Sequence, residues 1–162
     1  ASCKKTFSVS EVLTCAQCET SVCSEHCESC GKCGGIFCPE HIKHCICCGE
    51  PYCDCTSFRA CKYCGVEYCP SCLDNKDICA ACRSLKRVRP DSPVIELLSE
   101  HNHEWNKYKN FYTGSRGQIT VIIASSVIKP RIAVINKEGV IISDKRLKLF
   151  DYLKFLTYGR FL

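Results

Sequence analysis

The chain has no methionine and a single tryptophan, and its first half has few of the leucine, isoleucine and valine side chains that build a core. No apolar run reaches the roughly 18 residues that span a membrane. The most apolar stretch, 119–135, is interrupted by Lys129 and Arg131. No apolar segment follows Lys4 and Lys5, so no signal-peptide pattern opens the sequence. A first half so poor in core residues needs cross-links or bound metal to fold.

Sequence patterns typical of catalysis are also missing. There is no phosphate-binding P-loop, no Gly-x-Ser-x-Gly motif and no Rossmann glycine pattern. His101, His103 and Glu104 lie close together in the sequence, but we interpret them as the polar face of a helix. Asp144 follows an apolar strand, and we interpret it as a helix cap rather than a metal-binding carboxylate. The sequence therefore favours a binding protein over an enzyme.

Cysteine is abundant, and all 19 cysteines lie within residues 1–82. Most of them, with two of the five histidines, form nine closely spaced doublets: Cys15/Cys18, Cys23/His26, Cys30/Cys33, Cys38/His41, Cys45/Cys48, Cys53/Cys55, Cys61/Cys64, Cys69/Cys72 and Cys79/Cys82. Such spacing lets one turn of backbone present two ligands to one metal, and two doublets complete a tetrahedral site. The first half is therefore predicted to be a zinc-binding knuckle array that holds about four to five Zn²⁺ ions.

Disulfides and iron–sulfur clusters are alternative explanations for so many cysteines. The odd number of cysteines favours metal, as do the doublets that end in His26 and His41, because histidine forms no disulfide. Glycine follows the second ligand at Gly34, Gly49 and Gly65, where a knuckle needs a tight turn. Thiolate zinc sites in turn predict a reducing, intracellular compartment, the cytoplasm or the nucleus.

The doublets repeat about every 15 residues. The pattern C-x2-C-x4-C-x2-[CH] begins at Cys15, Cys30 and Cys61, and Cys45 begins a copy whose last doublet is one residue tighter. Four residues between doublets suit a tight β-hairpin whose two ends reach different metals, which predicts interleaved ligation. Nine doublets leave one half-site, and four other residues are candidates to complete it: Cys3, Cys27, His44 and Cys47.

Part of this array resembles the cross-brace zinc fingers of the FYVE type. The sequence CKYCGVEYCPSC at 61–72, followed by ICAAC at 78–82, is similar to the second half of such a finger. The resemblance implies two pairings of doublets: Cys61/Cys64 with Cys79/Cys82, and Cys53/Cys55 with Cys69/Cys72. The basic stretch that reads phosphoinositides in FYVE domains is reduced to RACK at 59–62, so the resemblance does not extend to lipid binding.

A second resemblance is to RING fingers, whose general spacing is met by the doublets that begin at Cys15, Cys38, Cys45 and Cys61. It implies that the array recruits a ubiquitin-conjugating partner. An E3-like ligase or adaptor is therefore the alternative function from another class.

The second half of the chain is predicted to be a basic linker over 83–90 and a small α+β domain over 91–162, of order α-β-β-β-α. Ser92 and Pro93 suit the N-cap and first turn of a helix. The predicted elements are a helix over 94–112, strands over 118–125, 131–136 and 140–143, and a final helix over 145–158 that Asp144 caps.

Charge divides the chain in the same place. Residues 1–82 carry 7 Lys and Arg against 10 Asp and Glu, whereas residues 83–162 carry 15 against 7. Clustered basic residues near aromatic ones indicate nucleic-acid binding. The candidate contacts are Arg83, Lys86, Arg87, Arg89, Lys129, Arg131, Lys145, Arg146 and Lys148.

These observations predict a non-catalytic, zinc-scaffolded binding or regulatory protein of a nucleic-acid-associated complex, such as one acting in transcription. The zinc array would dock a protein partner, and the basic half would contact nucleic acid. The sequence predicts neither a small-molecule substrate nor a membrane partner. A structural subunit of a larger assembly is a further alternative, in which the apolar residues near the end of the chain dock onto a neighbour.

Overall fold

The computed structural model describes residues 12–126, 129–148 and 153. The chain forms two compact units, Ala1–Ser57 and Phe58–Leu162. The division lies earlier than the linker predicted at 83–90, and the last cysteine-rich hairpin belongs to the second unit. The predicted linker instead contains a strand of that unit, as described below. No helix among the described residues is long and apolar enough to cross a membrane.

The described part of the first unit consists of short antiparallel hairpins. The strands pair in sequence order, and they are β1 (Val12–Thr14) with β2 (Ser21–Cys23), β3 (Glu28–Ser29) with β4 (Ile36–Phe37), and β5 (Lys43–His44) with β6 (Pro51–Tyr52). Single turns of 3₁₀ helix, Ser24–His26 and Pro39–His41, follow β2 and β4. The buried cluster of this unit is small and consists of Phe37 and four cysteines, Cys15, Cys30, Cys38 and Cys53.

The turn of each hairpin has the same backbone hydrogen bonds. In the second hairpin the N–H of Cys30 donates to the carbonyl oxygen of Gly35, and the N–H of Gly34 donates to that of Cys30, both at 2.9 Å. Gly34 has a φ of 72°, in the left-handed region that glycine adopts without steric cost. The first hairpin makes the same turn with Glu19, whose φ is 58°. These turns are the knuckles that bring two cysteines together.

The second unit begins with a fourth hairpin of the same kind. It consists of β7 (Arg59–Ala60) and β8 (Glu67–Tyr68), and the 3₁₀ helix Pro70–Cys72 and the short helix α1 (Ala80–Arg83) follow it. Helix α1 packs against the sheet that makes up the rest of the unit. A Cβ atom at Gly114 in that sheet would overlap the carbonyl oxygen of Ala81 in α1, so this contact requires glycine.

The sheet of the second unit is antiparallel, with five strands in the order β13-β12-β11-β10-β9. The elements after α1 are β9 (Lys86–Val88), α2 (Pro93–His101), the 3₁₀ helix His103–Lys107, β10 (Asn110–Arg116), β11 (Ile119–Ser125), β12 (Arg131–Asn136) and β13 (Ile141–Arg146). Short connections join β10 to β11, β11 to β12 and β12 to β13, whereas α2 and the 3₁₀ helix lie between β9 and β10. Local contacts of this kind account for the simple meander order.

The main core of the second unit lies between α2, the 3₁₀ helix that follows it and one face of the sheet. Ile95 and Leu98 of α2 and Trp105 pack there against Phe111 and Ile122. Alternate residues of β11 point to opposite faces of the sheet, yet the four residues from Val121 to Ala124 are all fully buried. Both faces of the sheet are therefore covered at β11, which explains the continuous apolar sequence of this strand.

The predicted strands agree with β11, β12 and β13, but the α-β-β-β-α order is not confirmed. The helix predicted over 94–112 ends at His101, and its last residues belong to β10. Phe111, Tyr112 and Thr113 are aromatic or β-branched residues, which fit a pleated, half-buried strand. Lys145 and Arg146, predicted to begin a final helix, lie in β13 instead. Most of the remainder of that predicted helix lies outside the described residues, as do the apolar residues near the end of the chain.

Candidate metal centres

Among the described residues, four groups of four Cys or His side chains have their ligand atoms within 4.8 Å of one another, so each could hold a metal ion. Two groups lie wholly in the first unit: Cys15, Cys18, Cys38 and His41, and Cys30, Cys33, Cys53 and Cys55. One lies wholly in the second unit: Cys61, Cys64, Cys79 and Cys82. The structure thus brings predicted doublets together in tetrads suited to metal.

The two tetrads of the first unit are assembled by one rule. The knuckle of a hairpin supplies two ligands, and the two residues that supply the rest follow the last strand of the next hairpin. We call this second doublet the tail. The N–H of Ala16 donates to the carbonyl oxygen of Ile36 at 2.9 Å, and the N–H of Gly31 donates to that of Pro51 at 2.8 Å. These bonds hold each knuckle beside the next hairpin, just before its tail.

Distances within the tetrads fit a single tetrahedral ion. A Zn–S bond of about 2.3 Å sets neighbouring sulfurs roughly 3.8 Å apart. The Sγ atoms of Cys18 and Cys38 are 3.9 Å apart, and those of Cys33 and Cys53 are 3.7 Å apart. A disulfide needs about 2.05 Å. The distances between the sulfurs therefore suit binding of a shared metal ion rather than a disulfide. The space between them suits one ion rather than an iron–sulfur cluster.

Backbone N–H groups point at the sulfur atoms. The N–H groups of Cys53 and Lys32 donate to the Sγ atom of Cys30 at 3.4 and 3.5 Å. Burial opposes ionisation of this thiol, but hydrogen bonds from Cys33, Cys53 and Lys32 outweigh it and lower its pKa to about 6. A thiol that ionises so readily is prepared for metal, because the thiolate is the ligand.

The first tetrad has the same electrostatic arrangement. Burial opposes ionisation of Cys15, but N–H groups of Cys38, Cys18 and Gln17 lower the pKa of its thiol to about 6. The Nδ1 atom of His41 lies 3.7 Å from the Sγ atom of Cys15. His41 therefore offers Nδ1 as its ligand atom.

The tetrad of the second unit is buried throughout. Cys61, Cys64, Cys79 and Cys82 all have less than a tenth of their surface exposed. Hydrogen bonds from the side chains of Cys64, Cys79 and Cys82 lower the pKa of the Cys61 thiol. The buried hydroxyl of Tyr68 lies 3.4 Å from the Sγ atom of Cys64. A closed, buried, four-cysteine arrangement is typical of a structural zinc site rather than a catalytic one.

Other ligand doublets keep the same local geometry within their own units. Cys45 is buried in the knuckle between β5 and β6, with Cys48 as its doublet partner. Cys69 precedes the 3₁₀ turn after β8 and Cys72 ends it, and the N–H of Cys72 donates to the carbonyl oxygen of Cys69 at 3.1 Å. The Sγ atom of Cys23 lies 2.8 Å from Nδ1 of His26.

One of the two pairings implied by the FYVE resemblance is confirmed, and one is wrong. Cys61/Cys64 do meet Cys79/Cys82. Cys53/Cys55 meet Cys30/Cys33 rather than Cys69/Cys72. The reason is the hydrogen bonding between neighbouring hairpins, which places the tail after β6 beside the knuckle of the preceding hairpin. Sequence spacing alone did not show whether Cys53/Cys55 joins the knuckle before it or the tail after it.

The candidates for the half-site are placed differently from one another. The Sγ atom of Cys27 donates to the carbonyl oxygen of Ser24 at 3.6 Å. His44 has its Nε2 atom 2.7 Å from the carboxylate of Glu28, at an exposed position. Cys47 is buried. Cys3 lies outside the described residues.

The structure corrects the prediction that Arg131 contacts nucleic acid. Its side chain is one-tenth exposed, and its Nε atom donates to Oδ1 of Asp144 at 2.6 Å. Its guanidinium also lies over the ring of Trp105. Arg131 is therefore a structural residue. The interpretation of Asp144 as a helix cap is also wrong, because Asp144 lies in β13 and pairs with Arg131.

The remaining predicted basic residues are exposed: Arg83, Lys86, Arg87, Arg89, Lys129, Lys145, Arg146 and Lys148. Two of them also form surface ion pairs, Arg83 with Asp74 at 3.6 Å and Arg146 with Glu104 at 3.2 Å. Exposed pairs of this kind are weak and open readily to another anion.

Lys129 lies in a basic groove that the sequence did not predict. The groove has a volume of about 360 Å³ and is lined by Glu104, Lys107, Tyr108, Lys109, Asn110, Ser125, Ser126 and Lys129. Lys107 and Lys109 were missed because they fell within the predicted helix over 94–112, where alternate charges look like a solvated face. The break after His101 and the start of β10 at Asn110 bring them beside the end of β11.

Comparison of the chain with protein-family models, with curated proteins and with solved structures finds no match.

Proposed function

We propose that the protein is a zinc-scaffolded binding protein whose second unit contacts nucleic acid through the basic groove. Each of the four tetrads binds one Zn²⁺ ion in this proposal, and the ions hold the hairpins together in place of an apolar core. The ligand set of thiolates with one histidine suits zinc, which accepts tetrahedral sulfur and nitrogen ligands without redox chemistry. We assign no catalytic step.

The observation that carries the nucleic-acid proposal is the concentration of lysines in one groove. Lys107, Lys109 and Lys129 line it against a single acidic residue, Glu104. Lys107 and Arg146 both pair with Glu104, so its charge is already balanced. Among the described residues no ion pair involves Lys109 or Lys129, which leaves both ammonium groups available to a phosphate.

Polar groups around these lysines suit a sugar–phosphate backbone. Ser125 and Ser126 offer hydroxyls at the end of β11, and Asn110 offers an amide at the start of β10. Arg87 extends the basic surface, since its Nη2 atom donates to the amide oxygen of Asn110 at 2.8 Å. Contacts to phosphate from lysine, arginine, serine and asparagine position a protein on nucleic acid without reading its sequence.

The first unit is assigned a different partner. Residues 1–57 carry 4 Lys and Arg against 7 Asp and Glu, and thiolate ligands add negative charge to the sites. An acidic surface repels phosphate, so this unit contributes to the proposal as a surface for docking protein.

Fluorescence anisotropy of the zinc-loaded protein against labelled DNA and RNA, single- and double-stranded, tests the proposal across salt concentrations from about 50 to 200 mM. We expect log affinity to fall linearly with log salt, because each phosphate contact releases counterions. Lys109→Glu and Lys129→Glu should each weaken binding to every sequence, and removal of each contact should reduce the salt slope by about one.

The matched control is Lys137→Glu, which makes the same charge change at an exposed position beyond the far end of β12. Six strand residues separate it from Lys129, a distance of roughly 20 Å. The control should bind much better than the groove variants. Equal losses in all three variants would show attraction to net charge alone, and an absence of binding at the lowest salt would overturn the proposal.

A further inference from the structure

An aromatic side chain separates two lysines at the end of the 3₁₀ helix that follows α2. Tyr108 lies between Lys107 and Lys109 in the sequence, and all three residues line the basic groove. The side chain of Tyr108 is half-buried and packs against the main core of the second unit. Lysines suffice for the phosphate contacts proposed above, so those contacts leave the ring without a role.

The ring of Tyr108 is held in place by two contacts. Its hydroxyl donates to the carbonyl oxygen of Lys129 at 2.6 Å, which ties the ring to the connection between β11 and β12. Its centroid lies 6.3 Å from that of the Trp105 ring, which is fully buried. The core therefore supports one side of the ring and leaves the other side to the groove. A ring fixed in this way loses little conformational freedom when a ligand stacks on it.

The phenol of Tyr108 also stays neutral at physiological pH. Burial raises the pKa of Tyr108 above its ordinary value of 10, so the hydroxyl keeps the proton that it donates to Lys129. A neutral ring beside ammonium groups does not repel a phosphate that those groups bind. The groove therefore combines cationic sites with an uncharged aromatic surface.

Cationic groups beside a fixed aromatic ring are the combination with which proteins bind single-stranded nucleic acid. An unpaired base can turn its face to such a ring, whereas the bases of a duplex are already stacked on one another. The volume of the groove, about 360 Å³, lies within the range of pockets that enclose small ligands. A flexible single strand can place one base there, while a duplex offers the groove its backbone alone.

We propose that Tyr108 is a stacking platform for an unpaired base and that the basic groove therefore prefers single-stranded nucleic acid to a duplex. This inference rests on the proposed function and deepens it, because it names the form of nucleic acid that the groove selects. Lys109 and Lys129 contact phosphates, which both forms carry. Tyr108 contacts a base, which the single strand alone presents. Stacking accepts every base, so the preference does not depend on the sequence of the strand.

Fluorescence anisotropy with three labelled ligands tests this preference on the unaltered, zinc-loaded protein. The ligands are a single strand, the same strand paired into a duplex, and a strand of the same length that is abasic throughout. The abasic strand keeps the phosphates and lacks only the bases. The protein should bind the intact single strand about tenfold more tightly than the abasic strand. Equal affinities for these two ligands would overturn the proposal.

Tyr108→Leu and Tyr108→Phe are the matched variants. Both remove the hydrogen bond to Lys129, but only phenylalanine keeps an aromatic ring. Tyr108→Leu should bind the single strand about tenfold more weakly and with an unchanged salt slope, because it removes no phosphate contact. Tyr108→Phe should bind within about twofold of the unaltered protein. Equal losses in the two variants would assign the effect to the hydrogen bond and overturn the stacking role.

Failure of this inference and failure of the proposed function give different results. If Lys109→Glu weakens binding to all three ligands while Tyr108→Leu weakens binding to none, the phosphate contacts stand and the stacking platform is wrong. If no ligand binds at the lowest salt, the groove is not a nucleic-acid site. The emission of Trp105 should remain that of a buried indole in both Tyr108 variants, which shows that they are folded.

Discussion

At the scale of single residues, each knuckle turn needs one residue in the left-handed conformation, and the first knuckle is the one that does not use glycine there. The turn needs a left-handed residue, supplied by Gly34, Gly49 and Gly65 with φ between 72° and 79°. The first knuckle uses Glu19 at φ 58°. A side chain in this region costs roughly 1–2 kcal/mol, because its Cβ approaches the following carbonyl oxygen. The first knuckle is therefore strained relative to the others.

Substitutions at the left-handed position of two different knuckles should have opposite effects on zinc affinity. Gly34→Ala adds a Cβ that meets nothing within 4 Å, so its cost of about 1 kcal/mol comes from the backbone alone. Because the proposed function couples folding of the hairpin to metal, we expect roughly fivefold weaker zinc binding at the tetrad that contains Cys33. Glu19→Gly should strengthen binding at the tetrad that contains Cys18 by a few-fold. Competition with a chromophoric chelator measures the zinc affinity of both variants. A change in the same direction in both would contradict the role of backbone strain in the turn.

At the scale of elements, Asp144 joins three parts of the second unit. It lies on β13, accepts hydrogen bonds from Arg131 on β12, and accepts others from Asn102 and Trp105 at 3.3 Å, beyond the end of α2. Asp144 is paired across the strands with Ala133, two positions from Arg131. This is a diagonal neighbour that long side chains reach. The carboxylate therefore fixes the helical layer to the edge of the sheet.

Removing this carboxylate should destabilise the second unit. The side chains of Arg131 and Asp144 are 10% and 8% exposed, so Asp144→Asn leaves a guanidinium buried without its partner. We expect a loss of about 3 kcal/mol in the free energy of unfolding. The fluorescence of Trp105, the only tryptophan, measures this loss in urea. The exposed pair of Lys137 and Glu138 supplies the control, since Glu138→Gln should change stability by less than about 0.5 kcal/mol.

The same substitution should show a defined pH dependence. Burial disfavours the charged form of Asp144, but hydrogen bonds from Arg131, Trp105 and Asn102 outweigh it and hold the pKa of the folded carboxyl below its ordinary value of 3.8. The folded state then binds fewer protons than the unfolded state, so the stabilisation is present above 3.8 and is lost as pH falls through the folded pKa. The stability difference between Asp144→Asn and the original protein should shrink below pH 4 or so.

The sequence predicts the ligands and strands of this protein better than it predicts their partners. Doublet spacing predicts Cys30 and Cys53 to be metal ligands, and the structure places both in one candidate tetrad. It does not reveal that they share a site, since that depends on a hydrogen bond between Gly31 and Pro51 in neighbouring hairpins. The pairing of Arg131 with Asp144 was missed for a similar reason. Strand register creates it, and neither residue differs from a surface charge in sequence.

At the scale of the whole molecule, the two units should depend differently on the proposed zinc ions. The small core of the first unit consists of cysteines around Phe37, whereas the main core of the second unit contains no cysteine among its described members. Apolar burial can hold the five-stranded sheet without metal, but the described residues of the three hairpins form no comparable core.

Chelation of zinc should therefore unfold the units unequally. We expect amide hydrogens of residues 12–57 to lose protection from exchange in excess chelator, while the emission of Trp105 stays that of a buried indole. Hydrogen exchange with mass spectrometry, before and after Zn²⁺ is restored, measures this. Persistent protection in residues 12–57 under non-reducing chelation, lost only when reductant is added, would instead indicate disulfides.

The rule by which a tail joins the previous knuckle also bears on how such a chain can change in evolution. A duplicated stretch of 15 residues would bring one knuckle and one tail, and each would find a neighbour of the right kind on either side. The copy would add one ion and leave the bonding of the original hairpins intact, while a duplication of any other length would separate ligands that belong together. Tandem gain or loss of whole repeats is thus the kind of insertion or deletion that this architecture tolerates.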